Sequence, residues 1–373
     1  MRRLFLIPLI FCSLCLPLFP GEALSDEKEL SLVVPDVFYA VEGVETGLVF
    51  RNFVLFEEDV PHRFEMDCKL GLLAGDEWTL LAKSGEAGDH NMTVRLLDGA
   101  GKVLDQEDLT IRVAPAGAGD EKSISLLIVG DSLTNASRYP NTMAELLEKE
   151  GNPDWKMLGT HHPASAEPKV FHEGYGGWTW KRFNSQYAPK EKQIGKMRTS
   201  PFLFAEGDQE PALNADRYFK EFHEGETPDF ITILLGINDC FHPDPNDPAA
   251  IESRIDQMME QAEIFLEQLK ASAPDAKIGI GLTPAPNARD GAFVANYKTR
   301  YPRSGWRRIQ SRLVQRQMED FGGREEEGIY TVPTSHSIHP VYGYPKNNAV
   351  HPNDAGYRDI GVNFYSWIKA MLQ

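Results

Sequence analysis

The stretch Ala114-Pro115-Ala116-Gly117-Ala118-Gly119-Asp120 divides the chain into two parts with different hydrophobic rhythms, and that division most restricts what it can fold into. Before it, short apolar runs alternate with Gly, Asp and Glu turns. Ser31–Val34, Gly47–Phe50, Phe53–Phe56, Trp78–Leu81, Met92–Leu97 and Leu109–Val113 read as strands, and Asp98-Gly99-Ala100-Gly101 as a hairpin connection. About six or seven strands without a helical period predict a small antiparallel sandwich. After the stretch, strand and helix alternate. Ser123–Val129, Phe230–Leu235, Lys277–Leu282 and Gly328–Val332 are strand runs, and 141–150 is a short helix. Ile251, Ile255, Met258, Ala262, Phe265 and Leu269 recur at steps of four and three, the stripe of an amphipathic helix. Tyr357, Ile360, Phe364, Trp367 and Met371 mark a closing helix. This alternation predicts a three-layer α/β domain, a parallel sheet covered on both faces. The expected division is an all-β sandwich over 24–115, a linker over 116–122 and an α/β domain over 123–373.

The first 23 residues stand apart from both. Arg2 and Arg3 precede the nearly all-apolar Leu4–Phe19, and Gly21-Glu22-Ala23 supplies small residues for cleavage after Ala23. That is the pattern of a secretory signal peptide. Pro8, Pro17 and Pro20 and the short apolar run argue against an anchor helix. The expected location is secreted or periplasmic, with no membrane span after signal removal. A formal charge of −17 disfavours nucleic acid as a partner. Beyond the signal only Cys68 and Cys240 remain, too few for a disulfide framework. An oxidising compartment permits them to pair, and two buried thiols is the plainer reading.

Three loop positions carry chemistry-bearing residues. Gly130-Asp131-Ser132 ends the first strand of the second part and would expose a serine hydroxyl ahead of a helix. Gly236-Ile237-Asn238-Asp239 ends another strand, where Asn238 could project an amide over the same sheet edge. His351-Pro352-Asn353 stands just before the last helix. Each alone reads equally as a turn. Together they place nucleophile, donor and base at the loops where parallel sheets build sites, as acyl transfer requires. His161-His162 is a weak metal candidate, because adjacent residues on a strand face opposite ways.

With these blocks in place, the chain resembles the SGNH (GDSL-type) hydrolase family. A further block, Glu173-Gly174-Tyr175-Gly176-Gly177-Trp178, is similar to the E-G-x-x-G-W of its carbohydrate-esterase members. The four blocks occur in the family's order across 123–373. The resemblance implies a flavodoxin-like fold, Ser132 as nucleophile and His351 as general base. It also implies an oxyanion hole of the Ser132 N–H, the Gly177 N–H and the Asn238 amide, with no metal and no cofactor. One position departs from the pattern: three residues before the histidine the family usually has Asp, and here stands Asn348. Either Asn348 or a backbone carbonyl holds His351 in a Ser–His dyad, or a carboxylate from elsewhere substitutes, or the enzyme is weakened. The first is the favoured expectation, and Asp354 reads as the start of the final helix.

Three segments are expected to wall the site. The first, 163–227, carries Phe171, Trp178, Trp180, Phe183 and Tyr187, placed to stack on sugars or to pack beneath a loop. The second, Thr283–Ser304, carries Arg289, Arg300 and Arg303, which could meet an acidic substrate or remain solvated. The third is His336–Tyr344. The expected activity is hydrolysis of a short acyl ester, O-acetyl on a small-molecule or polysaccharide carbohydrate first among substrates. The alternatives are a lipid esterase or thioesterase of the same fold, or a catalytically weakened carbohydrate-binding protein.

Overall fold

The computed structural model describes residues 30–55, 61–188, 198–207 and 209–373. The expected signal peptide lies outside the described residues.

The first part forms two sheets around one apolar cluster. Its strands are β1 (Val37–Val41), β2 (Glu45–Val49), β3 (His62–Asp67), β4 (Leu72–Ala74), β5 (Glu77–Leu81), β6 (Gly88–Asp98) and β7 (Val103–Ala114). One sheet runs β1-β7-β6-β3 and the other β2-β5-β4. Phe38, Phe50, Trp78, Met92, Val94 and Ile111 are buried between them. The 98–101 hairpin is present, closed by Asp98 N–H on Lys102 O at 2.9 Å with Gly101 at φ 91°.

Three expectations need correction. The sandwich is not wholly antiparallel, since β1 pairs with β7 in parallel. Ser31–Val34 makes only a single bridge, Leu32 to Val54. Within the run expected over Phe53–Phe56, the described residues hold the end of a 3-10 turn (Phe50–Phe53) and that bridge, and Phe56 lies outside them. The physical reason is docking. Buried Asn52 donates to Ser335 O and Ile338 O, and Val33 packs on Leu282 and Val314 of the second part. Tertiary contact there overrides the alternating pattern.

The second part opens with β8 (Ser123–Gly130), α1 (Ser132–Asn135), α2 (Arg138–Leu147), β9 (Asp154–Leu158), β10 (Glu173–Gly174) and α3 (Trp180–Ser185). A small hairpin, β11 (Leu203–Phe204) and β12 (Ala212–Leu213), leads to α4 (Ala215–Phe222), β13 (Phe230–Leu234), α5 (Ile237–Cys240) and α6 (Pro248–Ser272). Then follow β14 (Lys277–Gly281), α7 (Asp290–Tyr297), α8 (Arg303–Phe321), β15 (Ile329–Val332), α9 (Thr334–Ser337) and α10 (Asp354–Met371). The sheet runs β10-β8-β13-β14-β15, with β9 also on β8, and every pairing is parallel.

α2 packs with α10, and α6 packs with α3 and α8, giving the two helical layers. Two glycines let α10 approach the sheet. A Cβ on Gly279 would meet the Trp367 ring at 2.8 Å, and one on Gly281 the Phe364 ring at 2.8 Å. Because the strands are parallel, their carboxyl ends share one edge. Gly130 stands in register with both Gly174 and Leu234, so Ser132, Gly177 and Asn238 all emerge within a few residues of one line.

Candidate active site

The turn that carries Ser132 is built by Gly130 and Asp131. A Cβ on Gly130 would lie 2.0 Å from Thr134 Oγ1 and 2.9 Å from Leu234 O, so only glycine fits between strand and helix. Asp131 caps α1, its Oδ1 accepting from Leu133 N–H at 2.9 Å. Its Oδ2 accepts from Asn238 Nδ2 at 3.0 Å, which ties the first block to the third. Burial pushes Asp131 up to about 7.

Ser132, half-buried at the first turn of α1, places Oγ 2.9 Å from His351 Nε2. Which partner holds the proton follows from the other side of the ring. Asn348 Oδ1 accepts the backbone N–H of His351 at 3.0 Å and of Val350 at 3.3 Å, and a backbone N–H can only donate. That atom is therefore the amide oxygen. His351 Nδ1, 3.2 Å from the same oxygen, must point its N–H there. Nε2 is left bare and accepts the serine hydroxyl, the arrangement a general base needs. Of the three readings of the missing carboxylate, the geometry matches the one in which Asn348 holds His351. Asp354 begins α10 and ion-pairs with Arg138.

The loop carrying these residues is clamped by an asparagine that sequence reasoning missed. Fully buried Asn287 donates from Nδ2 to Pro345 O at 2.9 Å and Asn348 O at 2.8 Å, and from its N–H to Ala349 O at 2.9 Å. Asn296 Oδ1 accepts the Ala349 N–H at 2.6 Å. The available signal was position: Asn287 is the first strongly polar residue on the loop beyond β14, at the sheet edge where sites form.

The Ser132 N–H heads a helix and has no acceptor within it. Gly177 turns at φ 78° and lines the same cleft. Asn238 also lines it, but its amide is not the free donor expected. One hydrogen goes to Asp131 and the other to Trp178 O at 3.0 Å, because the neighbouring blocks pack directly over it.

Glu173, at the head of the second block, is a buried anchor. It accepts from Thr160 N–H at 2.6 Å, Thr160 Oγ1 at 3.3 Å, Tyr218 Oη at 2.7 Å and Tyr175 Oη. Burial raises its carboxyl and these donors oppose that. Asp239 is also buried and pushed up to about 7; Oδ1 accepts Trp180 N–H at 3.1 Å, and Oδ2 has no hydrogen-bond partner among the described residues.

The walls differ from expectation in part. Trp178, Trp180 and Phe183 are buried; Trp178 packs on Phe183, and Phe183 and Trp180 pack on Phe265, so they are core. Part of 163–227 lies outside the described residues. Of the three arginines, Arg289 donates to Val341 O and Arg303 pairs with Asp290, whereas Arg300 faces the cleft. His336–Tyr344 does not wall the site. His336 donates to Val33 O and His339 meets Glu77, so this segment faces the first part. Cys68 and Cys240 are both free, which excludes a pair between them. His161 and His162 separate to Asn135 Oδ1 and Val170 O. Among the described residues, no three His, Cys, Asp or Glu are grouped to hold a metal. No helix of these residues is long and apolar enough to cross a membrane.

The cleft over Ser132 encloses about 600 Å³, with Phe241, Tyr297 and Tyr301 in mutual ring contact on one side. Compared with known proteins, residues 128–358 match the GDSL-like Lipase/Acylhydrolase family. No curated protein matches the sequence significantly. Similar solved structures include a carbohydrate esterase family 3 protein from Talaromyces cellulolyticus, 16% identical over 67% of this chain and 98% of that one, TM-score 0.40. The acetyl xylan esterase AlAXEase is 14% identical over 66% and 100%, TM-score 0.37. A family two carbohydrate esterase with a carbohydrate binding domain, from Corynascus thermopiles (Myceliophthora fergusii), is 16% identical over 90% and 92%, TM-score 0.37. Likeness at this level identifies no substrate.

Proposed function

The chain belongs to the GDSL-like lipase/acylhydrolase family and is a carboxylic ester hydrolase, and from that premise we propose a Ser132–His351 acyl-enzyme mechanism on short acyl esters. Ser132 Oγ attacks the ester carbonyl carbon while His351 Nε2 takes its proton. The negative charge on the carbonyl oxygen meets the N–H groups of Ser132 and Gly177. Asn238 joins them by turning one amide hydrogen from Trp178 O to the oxyanion, a donor typically worth about 3–4 kcal/mol at the transition state. The alcohol leaves with the proton from His351. Water then attacks the acyl-enzyme, His351 accepts its proton, and the acid departs as Ser132 regains its hydrogen. Asn348 keeps the ring in the base tautomer, although a neutral amide stabilises the imidazolium less than a carboxylate does.

The observation that carries this reading is the 2.9 Å Ser132–His351 contact with its tautomer set by Asn348. For the substrate, an O-acetylated carbohydrate is favoured over a lipid. The cleft is wide and its lining mixes polar and aromatic side chains; apolar aliphatic residues there are few, Ile237 and Val350. Tyr297 and Tyr301 offer rings on which a sugar can stack. The E-G-x-x-G-W block and the expected export agree with this. We also read 24–115 as an accessory domain bracing 123–373, and the location as secreted or periplasmic.

The test is acetate release from p-nitrophenyl acetate and acetylated glycans by wild type and Ser132→Ala. Release by wild type and its loss in the variant are expected. Folded wild type that releases nothing would sink the reading in favour of a binding protein. On expression of the full chain, mass spectrometry should find a mature protein beginning at Leu24; an intact Met1 terminus would refute export by this signal.

A further inference from the structure

The charge of the cleft runs against the charge of the chain. Acidic residues outnumber basic ones, 55 to 38. Yet Arg182, Arg254, Lys298 and Arg300 line the cleft around Ser132, and no Asp or Glu is among the described residues that line it. Elsewhere several arginines are neutralised, as where Arg312 and Arg316 share Glu252 and Arg324 meets Glu263, although Arg289 is held by carbonyls alone. In the cleft none of the four forms an ion pair among the described residues. Arg182 donates to Gly177 O at 2.9 Å, Arg254 to Asp239 O, and Arg300 lies over the Tyr301 ring. Asp131 and Asp239, which adjoin Ser132 and Asn238, are buried, and Glu252 and Asp256, near Arg254 on α6, pair instead with Arg316. Arg254 lies near enough to buried Asp239 to be partly balanced by it, which leaves Arg182, Lys298 and Arg300 as a concave wall of unpaired cations that concentrates positive potential above Ser132.

Backbone geometry at Lys298 points the same way. Arg300 N–H bonds Tyr297 O at 3.0 Å, closing a tight turn, and Lys298 occupies it at φ 58°, ψ −118°. That conformation suits glycine, and a side chain there is strained. The turn nevertheless carries a lysine, exposed beside exposed Arg300.

The geometry points to an anionic glycan ester as the substrate, with Lys298 and Arg300 holding a carboxylate or sulfate on the sugar chain beside the acyl group. The inference rests on the esterase reading above and names its substrate class. Its test compares an O-acetylated polyuronate, the same polymer with its carboxyls methyl-esterified, an O-acetylated sulfated glycan and p-nitrophenyl acetate. The expected result is kcat/KM at least about tenfold higher on an anionic polymer than on the methyl ester, falling in about 0.5 M salt as screening shortens the reach of the field. Which anionic polymer is faster decides between carboxylate and sulfate. Lys298→Gly with Arg300→Gln keeps a turn that glycine fits and should cut that preference about fivefold or more. Equal rates on charged and neutral polymers, with p-nitrophenyl acetate hydrolysed, would overturn this inference and leave the esterase standing. No hydrolysis of any substrate would overturn both.

Discussion

Two Ser–His pairs lie within one helix of each other, and hydrogen-bond length does not tell them apart. Ser132 Oγ is 2.9 Å from His351 Nε2, and Ser137 Oγ is 3.0 Å from His172 Nε2. The difference is on the far side of each ring. His351 Nδ1 faces an amide oxygen and must carry the proton, so Nε2 can take one from serine. His172 Nδ1 accepts the Gly174 N–H at 3.1 Å, so its proton sits on Nε2 and is donated to Ser137. The second pair has the hydrogen bond reversed and no base. A third pair adds the other requirement: Ser335 donates to His336 Nδ1 while His336 Nε2 donates to Val33 O, a base tautomer, but both residues are buried. On the proposed mechanism, competence needs both tautomer and access; backbone groups set the tautomer directly at His172 and His336, and at His351 through the Asn348 amide that they orient.

The contrast is broken most directly by removing each hydroxyl. Ser132→Ala should lose about 10³-fold or more of kcat on p-nitrophenyl acetate. Ser137→Ala should keep kcat within about threefold and instead lower Tm by a few degrees, since it strands a buried ring N–H. Comparable losses of activity in both would refute the distinction. The next largest effect lies at Asn348. Exchanging Asp for Asn in a serine-protease triad costs about 10⁴-fold because the tautomer is wrong, whereas here the tautomer is right. Asn348→Asp should therefore raise kcat only about tenfold, through better stabilisation of the imidazolium. Asn348→Ala, which frees the ring, should lower it about 10²-fold. A gain near 10⁴-fold in the Asp variant would mean that Asn348 does not hold the base tautomer.

This dependence on backbone partners also explains what the sequence could and could not disclose. Strand–helix alternation located β8, β13, β14 and β15 closely because parallel strands covered on both faces leave mostly apolar runs. Ser132 and His351 were legible from their blocks. The amide of Asn238 was legible as a cleft residue, but not its capture by Asp131 and Trp178 O, which only a folded chain brings near. Trp178, Trp180 and Phe183 sit in a stretch with no clear period, so nothing local separated sugar platform from core. The run over Ser31–Val34 failed for the opposite reason: its strand-like pattern serves contact with the second part. Asn287 showed no motif because its work is done on carbonyls some sixty positions away.

That clamp sharpens the comparison at a smaller scale, because the loop before His172 is held by a different asparagine, Asn141, which donates to Ser165 O at 2.9 Å and accepts the Glu167 N–H at 3.0 Å. Asn287→Ala leaves Pro345 O and Asn348 O without their donor and should reduce kcat about tenfold by loosening the loop that aims His351. KM for a small ester should change little, since Asn287 does not line the cleft. A rise in KM with kcat preserved would place its role in binding instead.

The smallest effect separates the pairs through protons. Burial lowers His172 to about 3, so in the folded protein its ring stays neutral while the unfolded chain takes up a proton near 6.5. The unfolded state then binds more protons between these values. Its stabilising share is complete above about 6.5 and is lost as pH falls toward 3, at up to about 1.4 kcal/mol per pH unit. His161, lowered to about 4, and His336, to about 3, act in the same direction. Asp131 and Asp239, raised to about 7 by burial, oppose it between about 7 and 3.8. Comparing wild type with His172→Gln cancels these shared contributions, because glutamine can still donate to Ser137 and accept from Gly174 without titrating. Tm should fall less steeply from pH 6.5 to 4 in the variant. Equal slopes would mean that His172 protonates freely in the fold, and a ring that protonates freely is not one locked as a donor to Ser137.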